Sequence, residues 1–129
     1  PFLFLLSVGV LEFGAVLWQR EQIETGLRDA ARYVARCRTS SGDPAIPGSC
    51  LTVARNLAYR ATVDGSGDLR VSNWTAGTSD IIFTYPALAG ETGVTATTTH
   101  QLINSPLFGM LDIDAMTITM SHTQRRLGW

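Results

Sequence analysis

Few side chains in this 129-residue chain are placed to do chemistry. Cys37 and Cys50 bracket a segment, 38–49, rich in Ser, Gly, Pro and Asp. Two thiols on either side of such a loop fit a disulfide in an exported chain. Closing a loop of this size stabilises by roughly 3 kcal/mol in the chain-entropy picture. Two independent buried thiols are the other reading. A metal site is not expected, because His100 and His122 lie far from both cysteines in sequence.

Glu12 is the second candidate, the single charge within Pro1 to Trp18. A carboxylate in so apolar a run is costly and is a functional hypothesis by default. It can pair with the N-terminus or an arginine of a neighbouring subunit, cap a backbone group, or reach toward the interface.

The remaining constellations are weaker. Asp64-Gly65-Ser66-Gly67-Asp68 opens like a calcium loop, but its twelfth position is Thr75 rather than a bidentate glutamate. It reads as a turn. Asp112 and Asp114 straddle Ile113 and read as exposed carboxylates before a strand. Asn73-Trp74-Thr75 matches the glycosylation acceptor pattern, a match that arises often by chance. Ser7, Ser41 and Ser105 have no His or Asp at motif spacing, and there is no nucleophile elbow or phosphate-cradling loop. No catalytic residue, cofactor or metal is expected, and the chain does not read as an enzyme.

The elements that must position these residues follow from periodicity. Phe2, Leu3, Phe4, Leu5, Leu6, Val8, Val10, Leu11, Phe13, Val16 and Leu17 make the first eighteen residues apolar on every side. As a helix they measure about 27 Å, just under the hydrocarbon thickness of about 30 Å. Trp18 stands where an interfacial anchor belongs. No basic stretch precedes Pro1 and no small-residue cleavage site follows the run. Beyond Trp18 the helix continues as an amphipathic one. Ile23, Leu27, Ala30, Ala31 and Val34 form the apolar stripe among Arg20, Glu21, Glu24, Arg28, Asp29, Arg32 and Arg36. Gly9, Gly14 and Gly26 weaken it by about 1 kcal/mol each relative to Ala, which packing can offset.

A loop over Ser40 to Gly48 precedes a second helix capped by Ser49, with Leu51, Ala54, Leu57, Ala58 and Ala61 as its apolar face. Alternation then predicts four strands, near 69–73, 80–85, 93–103 and 115–125, with a short helical turn from Ser105-Pro106 through Leu111. The fold class is α+β: a long N-terminal helix with an apolar first half, a short second helix and a mainly antiparallel sheet. The expected division is an assembly or membrane helix over 1–36 and a globular head over 37–129.

Charge is nearly balanced, ten basic residues against eleven acidic, and every basic residue is arginine. Without a basic patch, nucleic acid is not an expected partner.

The string Pro1 to Trp18, with Leu11-Glu12-Phe13-Gly14 as its most specific part, resembles the TadE-like family of tight-adherence pilus proteins. Arg28-Asp29-Ala30-Ala31-Arg32-Tyr33, Ser105-Pro106-Leu107-Phe108 and Ile118 to Arg126 extend the resemblance. It implies a type IV pilin-like subunit held first in the bacterial inner membrane and then packed in an extracellular pilus (fimbrium), or in its tip or base. The expected partners are copies of itself or other pilins in a helical homo-polymer. The assembly helix would use Leu6, Gly9, Val10, Glu12, Phe13, Gly14 and Leu17. The family's processing site and the glutamate behind it would lie upstream of Pro1, so Glu12 matches the Glu-Phe-Gly motif and not that glutamate. The alternative reading is a monomeric membrane-anchored accessory or binding protein of a secretion or adhesion apparatus.

Overall fold

A computed structural model describes residues 1–37, 46–84, 93–102, 106–112 and 116–125. Ser41, Ser105, Asp114, the Gly42-Asp43-Pro44 turn, Pro86 and Arg126 lie outside the described residues. The elements are α1 (Phe2–Ala35), α2 (Gly48–Arg60), β1 (Ile81–Thr84), β2 (Val94–Gln101), α3 (Pro106–Met110) and β3 (Thr117–Gln124).

The helix α1 runs 34 residues without a break, about 51 Å at 1.5 Å per residue. Its buried residues are Ile23, Gly26, Leu27, Ala30, Ala31, Val34 and Ala35, the three-and-four spacing of one helical face. All lie in the second half, so that half is part of the head's own core.

The start of α2 differs from expectation. It begins at Gly48 behind Pro47, and no side chain caps it. The Pro47 carbonyl accepts from Cys50 N–H and Leu51 N–H at 3.0 and 3.3 Å, which places Ser49 inside the first turn rather than at the cap. The helix ends where Ala61 turns left-handed at φ 58° and points out of the core. Cys50, Ala54, Ala58 and Tyr59 are its buried residues.

Three strands form an antiparallel sheet in the order β1-β2-β3. Ile81 pairs with Thr98, and Gln101 with Thr117. Val94, Ala96, Thr98 and His100 form the buried row of β2, on alternate positions. On the opposite face, hydroxyl pairs cross from β2 to β3, Thr95 to Thr123 at 2.9 Å and Thr99 to Thr119 at 3.0 Å.

The sheet has three strands where four were expected. Residues 69–73 form turns instead. Arg70 N–H donates to the Tyr59 carbonyl and Trp74 N–H to the Val71 carbonyl, so the backbone there is satisfied without a neighbouring strand. Val71 and Trp74 are both buried three positions apart, a spacing that alternation does not produce.

Trp74 is the centre of the core. It is fully buried, meets Tyr59 edge to face at 5.0 Å, and donates Nε1–H to Thr98 Oγ1 at 3.2 Å. Gly26 makes room for it. A Cβ on Gly26 would stand 2.6 Å from the Ala58 carbonyl oxygen and 2.7 Å from the Trp74 ring. Thus the glycine that weakens α1 locally is what lets α1, α2 and Trp74 close on one another. Arg70 adds a 2.7 Å ion pair to Asp29 of α1.

Candidate functional site

The feature that sets this molecule apart from a soluble α+β domain is the first half of α1. Phe2, Leu3, Phe4, Leu5, Leu6, Val10, Leu11, Phe13, Leu17 and Trp18 are all exposed. The helix is long and apolar enough to cross a membrane, and none of its apolar window is covered by the rest of the chain. Leu6, Val10, Phe13 and Leu17 therefore lie on an open surface. Gly9 and Gly14 have nothing within 4 Å of where a Cβ would stand. Among the described residues nothing packs against either glycine.

Glu12 is the exception in this segment, because it reaches back to the head. Its Oε1 accepts the Leu107 N–H at 3.1 Å, across 95 positions of sequence. The need for this bond is local to α3. Pro106 opens that helix, where its missing N–H costs nothing, and Leu107 follows with an N–H that no earlier turn can satisfy. Glu12 thus does from another element what a capping side chain does locally. A carboxylate suits the N-terminal end of a helix electrostatically as well. Of the roles open to Glu12, capping a backbone group is the one present within the chain. Its Oε2 is buried and has no hydrogen-bond partner among the described residues.

The Glu12 contact brings α3 and the start of β3 alongside the apolar half of α1. Between them runs an open groove of about 380 Å³, lined by Phe13, Val16, Leu17, Arg20, Leu102, Phe108, Met116, Ile118, Thr119 and Met120. Only Arg20 and Thr119 among these are polar. Between the groove-lining Leu17 and Arg20, Gln19 Oε1 is buried without a hydrogen-bond partner among the described residues.

Cys37 and Cys50 form a disulfide with their Cα atoms 6.5 Å apart. It joins the end of α1 to the first turn of α2, fixing the angle at which the two helices leave one another. The described residues contain no free cysteine.

A second polar cluster was not visible in the sequence. Ser79 Oγ and His100 Nδ1 lie 2.8 Å apart, both residues buried. The Ser79 carbonyl accepts from Tyr59 Oη at 3.0 Å and Thr98 Oγ1 at 3.2 Å, and Thr98 receives Trp74 Nε1–H. Burial pushes the Tyr59 phenol well above its ordinary pKa, with the nearby Asp80 charge adding to it. Burial likewise holds His100 below the ordinary imidazole value. A serine beside a histidine suggests nucleophilic chemistry. Here burial of both side chains leaves no approach for a substrate, and the hydrogen bonds run between secondary elements. The cluster ties α2, the 74–80 turn and β2 together. Signals for it were absent because its members, drawn from Tyr59 to His100, follow no motif spacing.

The other candidates sit as follows. Asp64 Oδ1 accepts Ser66 N–H at 3.1 Å and faces Ser66 Oγ at 2.8 Å, with Gly65 at φ 75°. That is a turn closed by an aspartate, and those bonds, the backbone one first, lower the Asp64 pKa. Asn73 also turns left-handed, at φ 63°, and its carbonyl accepts from Thr78 Oγ1. Among the described residues no group of three or more His, Cys, Asp or Glu side chains is placed to hold a metal ion.

No protein-family model, curated protein or solved structure matches this chain.

Proposed function

We propose that this chain is a structural subunit, a TadE-like pilin or minor pilin, that assembles through the first half of α1. The observation that carries the reading is the apolar run Phe2 to Leu17, in which Phe2, Leu3, Phe4, Leu5, Leu6, Val10, Leu11, Phe13 and Leu17 are exposed and only the flank at Glu12 and Val16 meets the head, although half of the same helix is packed into a core. A helix apolar all round needs a cover. Lipid tails and apolar side chains are similar solvents, so such a helix can move from a bilayer into a bundle of sister helices at little hydrophobic cost. Gly9 and Gly14, open in the single chain, are where another backbone would come closest. Contacts that join different faces of identical subunits build an open helical array where the rotation between subunits does not close.

In this reading the subunit resides first in the bacterial inner membrane and then in an extracellular pilus. The Cys37–Cys50 bond suits that route, because it forms and persists in an oxidising compartment. The resemblance at Leu11-Glu12-Phe13-Gly14 and the exposed helix both support this reading.

The test is assembly. Leu6→Asp or Val10→Asp in the full chain should abolish filaments seen by negative-stain microscopy, while the head's thermal transition in detergent stays unchanged. Normal filaments from both variants would refute the proposal. Purified wild-type chain that stays monomeric and membrane-bound would favour the accessory-protein alternative.

A further inference from the structure

We infer that α3 and the residues beside it form a second membrane-contacting surface, which sinks the underside of the head into the leaflet nearest it. This rests on the reading of residues 2–18 as a membrane helix. The depth comes from α1 itself. Trp18 is exposed at the boundary between apolar and polar residues, the level of an interfacial anchor. Glu12 stands six residues before it, about 9 Å further into the bilayer along the axis. The bond from Leu107 N–H to Glu12 holds the start of α3 at that same depth. Helices that lie in a bilayer interface sit about 5–10 Å into the boundary.

The side chains agree with the depth. Met110 is 85% exposed, Leu111 60% and Met116 52%. Those are large apolar groups on the outside of a small domain, and Met116 shares a groove with the exposed Phe13 and Leu17. From Pro106 to Leu111 the sequence carries no charge, and Asp112 is the first. In water such a patch invites aggregation. At the depth set by Glu12 it meets acyl chains instead. The groove between α1 and β3 opens at this level, and its Phe13, Leu17, Phe108 and Met116 walls suit an acyl chain. Glu12 then has a second purpose. By bonding α3, it carries a piece of the head down beside the helix rather than leaving a bare rod below a water-borne domain.

The test places a nitroxide label on the full chain, disulfide intact, in phosphatidylcholine vesicles. Single substitutions Leu5→Cys, Met110→Cys and Thr52→Cys report the helix, the proposed surface and the exposed first turns of α2. Collision with oxygen marks lipid, and collision with a water-soluble nickel chelate marks water. The expected result is an oxygen-to-chelate ratio several-fold higher at both Leu5 and Met110 than at Thr52. A high ratio at Leu5 with a Thr52-like ratio at Met110 overturns the inference and leaves the membrane helix standing. A Thr52-like ratio at Leu5 removes the membrane reading and the inference with it. Shielding of Met110 that arises only in assembled filaments assigns this surface to a sister subunit and also overturns it.

Discussion

Residues 2–18 and 19–35 share one unbroken helix, yet they meet opposite surroundings. Leu5, Leu6 and Val10 project into open space, whereas Ile23, Leu27 and Val34 are fully buried against α2 and the sheet. The glycines divide the same way. Gly26 has the Trp74 ring and the Ala58 carbonyl closer than a Cβ could stand, and Gly9 has nothing near it. The contrast shows that helix formation and helix coverage are separate problems. Hydrophobic residues drive both halves, but only the second half alternates them with polar ones, so only the second half presents one face to a core. The first half is apolar on nearly every side, and none of that window is buried among the described residues.

Four comparisons test this contrast, in descending order of effect. Ile23→Ala should cost about 2–5 kcal/mol of head stability, as a buried aliphatic truncation does. Leu5→Ala should leave the same denaturant midpoint unchanged. Equal losses at the two positions would mean that the two halves are covered alike. Gly26→Ala should cost about 1–3 kcal/mol through overpacking against Trp74, even though Ala is the better helix former. Gly9→Ala should show only the propensity gain, up to about 1 kcal/mol, in a thermal melt in detergent.

Glu12→Ala comes next. Removing the acceptor from a half-buried N–H should cost about 1 kcal/mol and speed hydrogen exchange at the Leu107 amide. Exchange at Leu27 should not change, and an effect there would mean that Glu12 holds more than α3.

The smallest shift should be with pH. Burial keeps the folded-state pKa of His100 below its unfolded value, so the unfolded chain takes the proton more readily. The stability gained from a neutral His100 is then complete above the ordinary value of about 6.5 and is lost as pH falls through it. The head's Tm should drop between about pH 7.5 and pH 5, and His100→Gln should flatten that slope. An unchanged slope would assign it to other groups.

The parts of this fold legible in the sequence are those fixed by local periodicity. The length of α1, its change of character at Trp18 and the strand positions of β1, β2 and β3 follow from spacing alone, as does the helical turn at Pro106. The Cys37–Cys50 bond was legible from the loop between the two cysteines. What was not legible depends on distant partners. Alternation over 69–73 suggested a strand, but Val71 and Trp74 turn inward together because Trp74 fits the notch at Gly26. Ser49 stood where a cap belongs, but Pro47 started the helix earlier. Glu12 had several possible partners, and the one it meets within the chain is a backbone N–H in the first turn of α3, where no preceding turn of the helix offers an acceptor. No spacing rule links residues so far apart.

In the proposed function the uncovered first half of α1 holds this protein in a membrane before it holds it to anything else. Alkaline carbonate extraction of membranes from cells expressing the full chain reads this out. The wild-type chain should stay in the pellet, and a Leu6→Arg/Val10→Arg double variant should be released with its head folded and its disulfide formed. Release of the wild-type chain into the supernatant, or pelleting of both proteins alike, would contradict it.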